Sequence, residues 1–148
     1  MRRTVVAVIA GYFVMVALIF VLFAMVWFAL GADGLFAPGR YDASTAWMAQ
    51  SLLVAFVAAL AAGAVASRMG GRGAVRALAI VIIAVGILMA WPVLAAWTDA
   101  RPEERPAAIS MMDATRYARQ PPVIAGLVPF VGALGAWLGG SGFGRRRR

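Results

Sequence analysis

The chain has 148 residues, of which 64% are hydrophobic and 14% charged, and its mean hydropathy is +0.87. A soluble domain carries roughly a quarter charged residues and cannot hide this much apolar surface, so the expected solvent is lipid and there is no room for a second, soluble domain. The formal charge is +8 and every cation is an arginine, but the arginines stand at the ends of apolar runs, which is a signature of membrane orientation rather than of a nucleic-acid-binding patch.

Cysteine and histidine are both absent. Disulfides and thiolate metal sites are therefore excluded, and the commonest general base and the commonest haem or metal ligand are missing.

After Arg2 and Arg3, residues 4–30 carry no charge. As a helix this run is about 40 Å long at 1.5 Å per residue, longer than a bilayer core of about 30 Å, so tilt or interfacial ends are expected. A cleaved signal has an apolar region of only about 7–15 residues, so the run is read as a retained span. Residues 31–44 form a polar connection with the turn dipeptides Asp33-Gly34 and Pro38-Gly39, and Asp42 or Ser44 is placed to cap the next helix.

The second expected span covers about 45–66. Ser51, Ala55, Ala59, Gly63 and Ser67 advance by four and form one stripe of small residues, with Ala58, Ala62 and Ala66 in a row beside it. Such stripes let helix backbones approach closely, which is how helices associate in lipid. Residues 67–76 then read as a short loop rich in glycine and arginine, joining two antiparallel spans. The third span is expected over 77–97, with a short small face at Gly86 and Ala90 and a kink at Pro92.

Residues 98–122 are the longest polar segment. Ser110 and Asp113 resemble a capping box, which predicts a short helix from Met111 to about Arg119 lying on the membrane surface, with Asp113 pairing one turn on. The fourth span, about 123–140, is the shortest and contains Pro129; Gly132, Gly135, Ala136 and Gly139 supply its small faces. A basic tail, 141–148, closes the chain.

Four spans put both termini on one side. That side holds Arg2, Arg3, Arg68, Arg72, Arg76, Arg145, Arg146, Arg147 and Arg148 and no acid, while the other holds five arginines and all six acids. The excess of cations places the termini in the cytoplasm, with Arg68, Arg72, Arg76 and Arg145 to Arg148 at the lipid headgroups. Trp27, Trp47 and Trp97 would mark the outer interface and Trp137 the inner one.

The spans contain no charged residue, so a proton or ion pathway through a membrane carboxylate is not indicated. The size resembles that of small multidrug transporters, but the glutamate of their first span has no counterpart here. Tyr12 and Gln50 are the main polar side chains inside the runs, and Phe13, Phe20 and Trp27, spaced by sevens, are a candidate partner seam. The acids Asp99, Glu103, Glu104 and Asp113 are separated by neutralising arginines and read as a solvated loop, not a cation site.

The expected fold is thus all-α, an integral membrane four-helix antiparallel bundle. The expected role is non-enzymatic, without catalytic residues, cofactor or metal: an accessory or assembly subunit of a bacterial inner membrane. Its partners would be the bilayer and other membrane helices, of itself or of a larger complex, and not nucleic acid. The alternative is a small oligomeric transporter or channel for a neutral or apolar solute, built around the Pro92 and Pro129 kinks.

Overall fold

The computed structural model describes residues 2–95, 104–106 and 108–144. Its order is α1 (Arg2–Leu35), α2 (Thr45–Ala95), α3 (Met111–Tyr117) and α4 (Pro122–Gly144), and no strand forms among the described residues. Three helices, α1, α2 and α4, are long and apolar enough to cross a membrane. Trp97 and the arginines Arg145 to Arg148 lie outside the described residues.

α1 is apolar around its whole circumference, as a helix in lipid is and a water-facing helix is not. Phe13 and Phe20 point outward, 73% and 58% exposed, while Ala7, Gly11 and Met15 form the narrow face turned to α2. The helix runs past the expected limit at Leu30, broken only at Gly31, whose φ of 63° is in the left-handed region that glycine adopts without a side-chain penalty.

The larger difference from the sequence reading is in α2. Residues 67–76 are not a loop: helical hydrogen bonding continues on both sides, and Gly71 alone, at φ 67° and ψ −161°, leaves the helical region. One glycine is enough to turn the chain, so Arg68, Arg72 and Arg76 sit on helical turns. The two arms, 45–70 and 72–95, share neighbours. A β-carbon placed on Gly11 would stand 3.0 Å from the carbonyl oxygen of Ala62, in one arm, and 3.1 Å from Leu78, in the other. Ala58, Ala59, Ala62, Ala66, Ala74, Val75, Leu78 and Ile82 consequently form one buried core with Ala7, Met15 and Ala136.

At the opposite end from Gly71 the connections make a cap. Ser44 Oγ accepts from the Trp47 amide at 3.3 Å, the helix-capping contact expected of it. Residues 36–43 are stitched to the later polar segment: Arg105 N donates to Gly39 O at 2.8 Å, Arg119 N to Tyr41 O at 2.9 Å, and Ala43 N to Arg119 O at 3.0 Å. Beneath this, Leu35, Phe36, Trp47, Ala114 and Ala118 form a second buried cluster. Trp47, expected as an interface anchor, is instead 4% exposed and packed between Phe23, edge-on to it, and Phe36, tilted against it, with ring centroids 5.2 and 4.7 Å away. α3 ends at Tyr117, before the expected Arg119. Ser110 caps it as anticipated, accepting from the Asp113 amide at 3.1 Å and donating to the Asp113 carboxylate at 2.7 Å, so Asp113 bonds back to its cap rather than one turn on.

Candidate functional site

The small residues picked out from the sequence meet one another. Ala55, Ala59 and Gly63 are buried and Ser51 and Ser67 half-buried, and Gly132, Gly135, Ala136 and Gly139 on α4 are all buried. Gly63 lies against the backbone of Ala136, Gly139 against that of Leu60, and a β-carbon on Gly135 would be 2.6 Å from the Phe56 carbonyl oxygen. This is backbone-to-backbone packing, in which a glycine is required because any side chain would collide with main chain that cannot swing away. The second arm of α2 meets the other side of α4: Gly132 faces Ile82, Gly86 faces Pro129 and Gly140 faces Val75. Ser51 and Ser67 spend their hydroxyls on their own helix, donating to the carbonyl oxygens of Trp47 and Ala64 at 2.8 and 3.0 Å.

α1 and α4 both pack on α2, and among the described residues no Cα of one comes within 8 Å of a Cα of the other. The gap between them is a cleft. Its inner part, about 280 Å³, is lined by Tyr12, Met15, Ile19, Ala55, Ile82, Gly86, Met89, Val128 and Pro129, among others. Its outer part, about 430 Å³, reaches the cap, with Phe23, Trp47, Ser51, Thr115, Arg116 and Ala118 in its walls. Ile19, Ala55, Gln120 and Val128 line both parts, so the two are adjoining hollows with shared walls. Small-molecule sites occupy roughly 300–1,000 Å³, mostly apolar with a few polar groups at fixed places, and this cleft fits that description. Of the polar pair singled out in the sequence, Tyr12 lines the cleft and Gln50 does not.

Gln50 is 7% exposed and neither amide atom finds a hydrogen-bond partner. Arg105, in the cap, is also 7% exposed; it is ion-paired with Asp33 through Nη2, while Nε and Nη1 have no partner among the described residues. No group of three or more acids among the described residues is placed to hold a metal ion; Asp99 and Glu103 lie outside them.

The cleft is not legible in the sequence, because its walls come from all four helices and the segment joining α3 to α4. The one hint was the small face at Gly86 and Ala90, both of which line it. Comparison with protein-family models, curated proteins and solved structures gives no match.

Proposed function

We propose that this chain is a four-span antiparallel bundle of a bacterial inner membrane, with both termini cytoplasmic, that acts without catalysis by taking an apolar or amphipathic small molecule into the cleft between α1 and α4. The observation that carries the reading is the cleft itself, two adjoining hollows whose walls are largely apolar.

Four spans are supported by the length of α2. Its 51 residues would extend about 77 Å as one rod, more than twice a bilayer core of about 30 Å, whereas two arms turned at Gly71, about 36–39 Å each, cross that core once with some tilt. The contacts with α4 run in opposite senses along the arms: Phe56 and Leu60 meet Gly135 and Gly139 in ascending order, while Val75, Ile82 and Gly86 meet Gly140, Gly132 and Pro129 in descending order. The cytoplasmic termini rest on the arginine count. A binding or carrier role needs no nucleophile, base or metal, in keeping with a chain lacking Cys and His.

The accessory-subunit reading is second. The stripes that suggested it are occupied by α2 packing on α4 within the chain, so a partner helix would use another surface, and the outward row of Phe13 and Phe20 is the one that supports it. Purification of the full chain in mild detergent separates the two. A small apolar ligand retained through purification, and displaced when Val128→Trp fills the part of the cleft common to both halves, supports the cleft; a stoichiometric protein partner with an empty cleft supports the accessory role.

A further inference from the structure

We propose that the occupant of the cleft is a single-chain carboxylate, a long-chain fatty acid, with its tail between α1 and α4 and its head at Arg116 and Gln120. This rests on the cleft being a binding site, and adds the class of ligand. Depth gives the tail. From Tyr12 at the floor to Phe23 near the mouth the cleft follows eleven residues of α1, about 16 Å, which is one leaflet of a bilayer core about 30 Å thick. The two parts share Ile19, Ala55, Gln120 and Val128 in their walls, and the occupant proposed is one extended chain that passes from one into the other.

The mouth gives the head. Among the described residues no acid lines either part, and Arg116 is the one cation that does. The two hydroxyls at the mouth are already used: Thr115 donates to the Met111 carbonyl oxygen and Ser51 to that of Trp47, both at 2.8 Å. Asp113, three residues before Arg116, is bonded to Ser110. The donors left for a head group are thus the guanidinium of Arg116, whose planar fork matches a carboxylate, and the amide of Gln120. Arg116 lies 5.6 Å from the centroid of the Tyr117 ring, which orders its side chain beside the cleft.

The test uses the full chain in nanodiscs of phosphatidylcholine and a palmitate bearing a diazirine near the end of its chain. Light should attach the probe to peptides of α1, of the second arm of α2 and of α4. Unlabelled palmitate should compete at about a tenfold lower concentration than hexadecanol, the worth of one charge-assisted hydrogen bond. Arg116→Gln, a change at an exposed site, should erase most of that difference while leaving competition by hexadecanol unchanged. Labelling in the cleft with equal competition by acid and alcohol would overturn the carboxylate head but leave the apolar site standing. Competition by phosphatidylglycerol as strong as by palmitate would overturn the single-chain ligand in favour of a bilayer lipid. No labelling of the cleft peptides would overturn both the ligand and the site.

Discussion

Gly63 of α2 touches the backbone of Ala136 of α4 so closely that a β-carbon on Gly63 would overlap the Ala136 carbonyl group. In lipid there is little hydrophobic gain from pressing one helix against another, so such close fits must supply the association. Gly63→Leu should therefore destabilise the folded chain by about 1–3 kcal/mol, the scale of overpacking a fitted contact, and more if the backbone of α4 cannot shift. Val57→Leu, at a position 41% exposed, should change little. Thermal unfolding in detergent reads both variants; equal melting for Gly63→Leu and wild type would remove close packing as the source of stability.

The turn between the arms should be sensitive at a single residue. Gly71 holds φ 67° with ψ −161°, a combination essentially confined to glycine, which costs a residue with a β-carbon about 1–3 kcal/mol. Gly71→Ala should lower stability by that amount. Gly73→Ala, two residues on, has nothing within 4 Å of the new methyl group and should be neutral or stabilising by up to about 1 kcal/mol, because alanine favours a helix. The same unfolding assay applies, and an equal response from the two glycines would mean that Gly71 is not the turn.

How far this could be read in advance differs by element. Long uncharged runs make apolar helices wherever they fall, so α1, α2 and α4 were legible, as were the caps at Ser44 and Ser110, whose contacts are local. The loop expected over 67–76 was misread because glycine and arginine there look like a break, although reversing a helix pair needs only the one positive φ at Gly71. The burial of Trp47 was also hidden: it depends on Phe23 and Phe36 arriving from another helix and a turn. The cleft is further from the sequence still, since it is a gap left between elements whose backbones stand apart.

The cap offers an electrostatic test. Arg105 is buried, and among the described residues its one ionic partner is the exposed Asp33. Removing the partner of a buried charge costs more than the pair contributes, because the charge that remains is uncompensated. Asp33→Asn should lower stability by about 1–2 kcal/mol, a figure reduced from the fully buried case by the exposure of Asp33. Arg105→Met added to Asp33→Asn should recover most of the loss, since methionine fills the space without a charge. A double variant no more stable than Asp33→Asn alone would show that the guanidinium is held by something other than its ion pair.

The cleft exists only if both arms of α2 stand side by side in the membrane, so the most direct measurement is the side on which each connection lies. Reporter fusions at Gly39, Gly71 and Arg105 decide it. Two crossings by α2 place Gly39 and Arg105 together outside the cell and Gly71 in the cytoplasm, which is the result expected. A single crossing would put Gly39 and Arg105 on opposite sides, and that outcome would contradict the four-span bundle and the cleft with it.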